Sequence, residues 1–155
     1  NQRNVSIRPI RVLYGDFYEY SDLSSHPAAV LLPYQVSFML FFEMYQMGLP
    51  MYVPTPELLV QWHMKYNMLH ERTWNSVFGQ LSSHSAISRH NSSNSSLTSD
   101  PNNDMDATAI LEWIRLADFY VFPHVMQFRS IDDLLSQVQH NDHGNISQRM
   151  QEHNL

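Results

Sequence analysis

The sequence predicts an α/β fold built on an open, doubly wound and mostly parallel sheet. Short apolar runs, which are typical of buried strands, alternate along the chain with segments whose apolar residues recur at helical spacing. The connections between these segments are short, and a parallel strand pair needs a crossover, usually a helix, to return the chain. With 155 residues, of which 43% are hydrophobic and 12% aromatic, the chain can form one ordinary core but not two large domains.

The first third of the chain begins with weak signals and then becomes strongly patterned. Residues 12–14 give a weak strand signal, and residues 16–25 give a weak helix signal. Residues 28–34 (AAVLLPY) form a continuous apolar run, as expected of a strand buried on both faces. Ser37 is placed to cap a helix that ends near Gly48, a residue suited to the left-handed conformation at a helix terminus.

Strand and helix signals continue to alternate in the rest of the chain. Residues 51–53 predict a second buried strand. Residues 55–57 (Thr-Pro-Glu) then provide a capping side chain, a proline at the first helical position and an acid in the first turn. A further helix is predicted after Asp106, a third strand at residues 125–128, and a last helix after Ser130.

The composition divides the chain into a domain, an insertion and a tail. The patterned domain spans residues 5–139 and is interrupted at residues 80–105. Nine of the eighteen positions from 82 to 99 are serine, and such a segment buries too little apolar surface to offset its ordering entropy. We therefore expect a disordered insertion there, and a polar disordered tail at residues 140–155.

Charge and residue usage exclude several classes of partner and site. The 15 acidic and 9 basic side chains give a net charge of −6, which disfavours nucleic acid as a partner. The absence of cysteine excludes disulfides, thiolate zinc sites and cysteine nucleophiles. His63 and His70 would lie roughly 10 Å apart along a helix, too far to share one ion, so no metal site is predicted. No apolar run reaches the ~18 residues of a membrane span.

The start of the sequence suggests a longer parent chain. The first residue is Asn1 rather than methionine, and no basic region followed by an apolar one opens the sequence. We therefore expect a fragment whose N-terminal portion is absent. The compartment stays open, because a chain without cysteine fits both the secretory-pathway lumen and the cytoplasm.

Residues 33–56 (PYQVSFMLFFEMYQMGLPMYVPTP) are the most informative stretch for function. A strand is predicted to end at Tyr34, and a helix is predicted to start near Ser37 after a tight turn. Ligands of open α/β sheets bind outside the carboxyl ends of the strands, where helix N-termini attract phosphate. Glu43 lies among aromatic and methionine side chains, where a carboxylate is costly unless solvent or a ligand hydroxyl satisfies it.

These residues resemble the nucleotide-sugar-binding motif of GT-B glycosyltransferases, which lies in the C-terminal, Rossmann-like domain of that family. The family motif has two glutamates with seven residues between them, and a G-x-P sequence begins five positions after the second. Glu43 matches the second glutamate, and Gly48-Leu49-Pro50 follows at the matching spacing. Gln35 stands where the first glutamate would be; it can form hydrogen bonds but carries no charge. The tight match covers about 22 residues.

The resemblance implies a role for each matched residue. Glu43 would hold the ribose hydroxyls of a nucleotide sugar, the backbone around Val36 and Ser37 would face its phosphates, and Gln35 would reach toward the donor sugar. Thr55, at the end of the next strand, would complete the donor site. The chain would then be an incomplete half of a two-domain enzyme, which transfers sugar only together with the missing N-terminal acceptor domain. The nucleotide sugar is a substrate, so no cofactor is implied.

Simpler interpretations accompany each of these roles. Glu43 could be a partly exposed helix carboxylate without a ligand, and Gln35 a structural turn residue. The alternative function, from a different class, is a non-catalytic Rossmann-like interaction domain that exposes its Ser/Asn-rich loop and aromatic surface to a partner. The sequence leaves open the sugar, the nucleobase, the acceptor and the stereochemical outcome.

Overall fold

The computed structural model describes residues 5–70 and 103–154, which form two compact units. The first unit comprises Asn1–Leu32, Phe38–Thr55 and Phe122–Leu155. The second comprises Pro33–Ser37 and Pro56–Val121. The expected insertion at residues 80–105 lies mostly outside the described residues.

The first unit contains a small parallel sheet. Its strands are β1 (Ala29–Val30), β2 (Met51–Pro54) and β3 (Met126–Phe128), in the order β1-β2-β3. Both strand pairs are parallel, and β2 lies between its neighbours with all four residues buried. The prediction of an α/β fold with parallel strands is confirmed. The sheet is compatible with a Rossmann-like arrangement; the order of the described strands follows the chain without the reversal that defines a doubly wound sheet.

Helices precede, connect and follow these strands. In chain order the described helices are α1 (Ile10–Tyr14), α2 (Tyr20–Ser24), α3 (Met39–Gln46), α4 (Pro56–Tyr66), α5 (Ala107–Ile114), α6 (Asp118–Val121), α7 (Ile131–His140) and α8 (His143–His153). Within the described residues 5–70 and 103–154, no helix combines the length and apolar character needed to cross a membrane.

The strand predicted at residues 12–14 is wrong, and the one predicted at residues 28–34 is too long. Residues 12–14 belong to α1, which ends at Gly15 with a φ of 75°. Only β1 forms within the apolar run, and its ladder partner is β2 alone. Leu32 is 54% exposed, because an edge strand next to a proline is not covered on both faces.

The helix predicted from Ser37 forms, but Ser37 does not cap it. The N-cap of α3 is Phe38, whose side chain makes no capping hydrogen bond, so Ser37 lies one residue too early. The prediction for Gly48 is confirmed, since its φ is 67° and its N–H donates to the Tyr45 carbonyl at 2.9 Å. A Cβ there would lie 2.8 Å from Cγ of Gln151, an exposed side chain that would have to shift, so the positive φ is the main reason for glycine at this position.

The expectation of a disordered tail is wrong for residues 143–153, which form α8. The carboxylate of Asp142 caps this helix by accepting from the N–H of Asn145 at 3.1 Å. Met150 is fully buried, and Asn154 donates to the Tyr45 carbonyl at 3.2 Å. Polar composition concealed this helix, because Met150 is its one buried residue and its other contacts are made by polar side chains, such as the hydrogen bond of 2.9 Å between Nε2 of His143 and the hydroxyl of Tyr52.

Aromatic packing fills the core between α3 and the segment before β3. The ring of Phe122 contacts Phe41 and Tyr45 edge to face, at centroid distances of 5.5 and 4.9 Å. The hydroxyl of Tyr45 donates to the Pro123 carbonyl at 3.0 Å. These contacts hold one face of α3 in the core, which leaves its opposite face for Leu40 and Glu43.

The second unit is built on the packing of α4 and α5. The buried apolar residues of these helices are Pro56, Leu59, Val60, Ala109, Ile110 and Ile114. The predicted helix starts are confirmed, since α4 begins at Pro56 and Asp106 caps α5 by accepting from the N–H groups of Thr108 and Ala109. Arg115 and Glu57 form an ion pair with an N–O distance of 2.7 Å at the surface.

Candidate functional site

Glu43 lies on the outer face of α3 and is half-buried. The core-facing residues of this helix are Phe41, Met44 and Tyr45. Leu40 and Glu43 are three residues apart and therefore share the opposite face. The carboxylate is not isolated there, because its Oε1 accepts a hydrogen bond from the hydroxyl of Tyr20 at 2.7 Å.

Tyr20 is the first residue of α2 and comes from 23 positions earlier in the chain. Its hydrogen bond to Glu43, together with desolvation and the negative charge of Glu43, raises the pKa of Tyr20 above its ordinary value. Tyr20 is therefore a neutral hydrogen-bond donor throughout the physiological pH range. The short helix is held in turn by Glu19, whose backbone N–H donates to Oδ2 of Asp22 at 2.9 Å.

A cleft of about 710 Å³ opens at this contact within the first unit. The described residues that line it are Tyr18, Glu19, Tyr20, Ser21, Leu40 and Glu43. Its volume is in the range of small-molecule sites, but the cleft is shallow and largely open to solvent. Tyrosine rings offer flat apolar faces to a planar ligand, and carboxylates accept hydrogen bonds from hydroxyl groups. The cleft thus combines the two kinds of group that a nucleoside requires.

The other residues implied by the resemblance do not line this cleft. Gln35, Val36 and Ser37 belong to the second unit, whereas the cleft is formed within the first. Gln35 is half-buried, and Val36 and Ser37 are exposed. Their contacts with a donor stay predictions.

Thr55 follows β2 and lies in the first unit, outside the described lining of the cleft. Its backbone N–H donates to the carbonyl of Phe128 at 2.8 Å and so continues the ladder between β2 and β3. That N–H is therefore committed to the sheet, and the side chain is half-buried.

Sequence reasoning found Glu43 but missed the rest of the cleft. It predicted only a weak helix at residues 16–25, and it gave no role in a site to Tyr18, Glu19 or Tyr20. The one sequence feature that could have indicated a ligand site here is the alternation of aromatic and acidic residues at positions 18–20 (Tyr-Glu-Tyr). It points to no partner by itself, because α3 lies about twenty residues further along the chain.

The part of the chain that the structure describes contains no group of three His, Asp or Glu side chains placed to hold a metal ion. The buried His63 is instead a structural acceptor in the second unit. Its Nδ1 receives the backbone N–H of Leu69 at 3.2 Å.

Comparison of the chain with models of protein families, with curated protein sequences and with solved structures gives no match.

Proposed function

We propose that this chain is the donor-binding half of a glycosyltransferase that moves a sugar from a nucleotide sugar to an acceptor. The single observation that carries the proposal is the position of Glu43. This carboxylate, which the GT-B resemblance assigns to the ribose, lies in a cleft that also contains Tyr18 and Tyr20. The pattern alone did not require a cleft at that residue.

The hydrogen bonding of Glu43 supports a ribose contact. An ionised carboxylate has about four acceptor positions, and Tyr20 occupies one of them on Oε1. The remaining positions can accept the two neighbouring hydroxyls of a ribose. Each such charge-assisted hydrogen bond contributes about 1.5–3 kcal/mol. The tyrosine rings of the cleft supply stacking surface for the base.

The surrounding fold supports the same proposal. The helix α3 carries Glu43 and connects β1 to the parallel strand β2, as the Rossmann-like arrangement of the family requires. Gly48 begins the G-x-P sequence and adopts the left-handed conformation that ends α3 before β2. In the full proposal Gln35, Val36, Ser37 and Thr55 contact the rest of the donor, and a separate acceptor domain completes the enzyme.

Calorimetric titration of the 155-residue chain with UDP, GDP and their sugars tests the proposal. We expect binding of at least one nucleotide, and a loss of about tenfold or more in affinity for Glu43→Ala. Glu152→Ala is the matched control, because Glu152 is an exposed glutamate of α8 in the same unit. Equal affinities of Glu43→Ala and the parent chain would remove the ribose assignment.

A second candidate is the non-catalytic interaction domain. Exposed apolar side chains in the segment from α1 to α2 favour it, since Phe17 is 92% exposed and Val12 is 73% exposed. The same titration separates the two functions. An interaction domain without a donor site would bind none of the nucleotides or their sugars.

A further inference from the structure

We infer that residues 7–17 bind the surface of an anionic membrane, with Val12 and Phe17 inserted among the lipids and Arg8 and Arg11 at the headgroups. The segment lies in the first unit and includes none of the described residues that line the cleft. The inference is independent of the proposed function, because it concerns a different surface and a different ligand.

Large apolar side chains are exposed along this segment. Phe17 is 92% exposed, Val12 is 73% exposed and Ile7 is 49% exposed. No residue of α1 is buried, although four of its five residues are apolar or aromatic. Exposed apolar surface of this kind marks sites that bind a membrane or another protein.

The segment is held in place by contacts that do not cover these side chains. The hydroxyl of Tyr14 and Nε2 of His26 form a hydrogen bond of 2.7 Å, and the two rings pack edge to face with centroids 5.8 Å apart. The N–H of His26 donates to the carbonyl of Leu23 at 3.2 Å, and Leu23 is buried in the core. Tyr14 therefore fixes α1 to α2, and Val12 and Phe17 stay in solvent on an ordered framework.

The exposure of Phe17 favours lipid over a folded partner. A side chain that is 92% exposed projects from the protein with almost no contact to it. A rigid protein partner would need a matching pocket for the ring, since interface cores are as closely packed as protein interiors. The boundary between headgroups and acyl chains is fluid and accepts a projecting apolar group without such a pocket.

The distribution of charge favours an anionic surface. Residues 1–15 contain three of the nine basic side chains and no acidic one, whereas residues 16–155 contain the other six and all 15 acidic side chains. Arg8 and Arg11 are exposed. At an ionic strength of 0.1 M the Debye length is about 10 Å, so charges close to the membrane decide the attraction more than the net charge of the chain does. Arginine pairs well with phosphate groups, as lipid headgroups provide them.

Carboxylates close to the segment limit this attraction. Oδ1 of Asp16 lies 3.8 Å from Nη1 of Arg11, and both side chains are more than 80% exposed, so their ion pair is weak. The carboxylate of Asp22 accepts the N–H of Glu19 at 2.9 Å and is thereby held at the start of α2. We therefore expect the apolar side chains to contribute more to membrane affinity than the arginines do.

Sedimentation of the full chain with vesicles of phosphatidylcholine that contain about one third phosphatidylserine tests the inference. At an ionic strength of about 0.1 M we expect binding to these vesicles, and binding at least about fivefold weaker to vesicles of phosphatidylcholine alone. Phe17→Ala should weaken binding about tenfold, because it removes an inserted aromatic side chain. Arg11→Gln should weaken it about three- to fivefold.

Two substitutions away from the segment are the matched controls. Leu116→Ala removes an apolar side chain that is 65% exposed, and Arg129→Gln removes an arginine that is 82% exposed, as Arg11 is. Both should leave vesicle binding unchanged. Phe17→Trp gives a direct readout of insertion, since its added fluorescence should shift to shorter wavelength when the vesicles are present.

The inference is overturned if the chain binds neither kind of vesicle, or if both kinds bind equally well. It is also overturned if Phe17→Ala and Leu116→Ala weaken binding to the same extent. A rise in molecular mass with protein concentration that Phe17→Ala abolishes, without binding to vesicles, would assign the segment to contact with a second copy of the chain instead. Each of these outcomes leaves the nucleotide titrations, and with them the proposed function, to be judged separately.

Discussion

The central strand β2 and the segment from α1 to α2 differ sharply in burial, although both belong to the first unit. All four residues of β2 are buried, whereas Val12, Phe17 and Tyr20 are exposed. The buried strand was predicted correctly from a short apolar run, and the exposed segment was misassigned as a strand at residues 12–14. Four of the six described residues that line the candidate cleft nevertheless come from the exposed segment, and Leu40 and Glu43 come from α3. Stability and recognition therefore rest on different parts of this unit.

The largest expected effect is on the buried side of α3. Phe41 is 0% exposed, so Phe41→Ala should lower the free energy of unfolding by about 3–5 kcal/mol. For a chain of this size, thermal denaturation should show a fall of more than about 6 °C in Tm. Phe17→Ala is the matched control in the exposed segment and should change stability by less than about 0.5 kcal/mol. Similar losses in both variants would contradict the contrast between the two regions.

A second prediction concerns the helix α8 near the C-terminus, which contributes a buried residue to the first unit, as β2 does. Met150 is fully buried, so Met150→Ala should cost about 2–5 kcal/mol in thermal or denaturant unfolding. Met39→Ala removes an exposed methionine of α3 and should be nearly neutral. If Met150→Ala were as mild as Met39→Ala, α8 would contribute nothing to the core.

A smaller effect is expected at the surface of the second unit. The ion pair with Arg115 lowers the pKa of Glu57 chiefly through its hydrogen bond. Both side chains are more than half exposed, so Arg115→Gln should cost no more than about 0.5 kcal/mol at neutral pH. Because the pKa of this carboxyl is lower in the folded state than in the unfolded state, the ion pair stabilises the folded state at pH values above the unfolded pKa. This stabilisation is lost as pH falls through the folded pKa. Denaturant midpoints of Arg115→Gln and the parent should therefore converge as pH falls below the lowered folded-state pKa of Glu57.

The smallest effect on stability is expected at the cleft. Tyr20→Phe should lower Tm at pH 7 only slightly, since it removes one hydrogen bond from a side chain that is 55% exposed. The raised pKa of Tyr20 shows that the folded state favours the protonated phenol. The stabilisation from its hydrogen bond to Glu43 is therefore present at pH 7 and is lost only as pH rises through the folded-state pKa of Tyr20. We expect Tyr20 to ionise at lower pH when Glu43 is replaced by glutamine. The ionisation of Tyr20 is followed as the difference in tyrosinate absorbance between chains with and without Tyr20→Phe, measured against pH in the parent and in Glu43→Gln. An unchanged midpoint would show that Tyr20 and Glu43 do not interact in solution.

The elements that could be predicted from the sequence share a local cause. Gly48, Pro56, Asp106 and Ser130 mark helix ends through backbone conformation or capping groups within a few residues. The apolar run of β2 required burial on both sides. Such signals depend on neighbours in the chain, so they survive without knowledge of the fold.

The candidate site was only partly predictable for the opposite reason. A family resemblance singled out Glu43, but its partner Tyr20 lies 23 residues away and donates from a helix with no strong pattern. The helix α8 was missed for the same reason. Its residues are mostly polar, and Met150 is buried only because the core of the first unit covers it. Contacts between distant segments leave no local period to detect.

The sequence by itself determined the parallel α/β class, the position of β2, the end of α3 and the starts of α4, α5 and α7, because periodicity and capping are short-range properties. Only the tertiary structure decided that β1 is a short edge strand, that the polar C-terminal segment is a packed helix, and that Glu43 opens into a cleft beside Tyr20. Each of these depends on which surfaces are covered when distant segments meet, and burial of that kind is a property of the assembled core rather than of any local stretch.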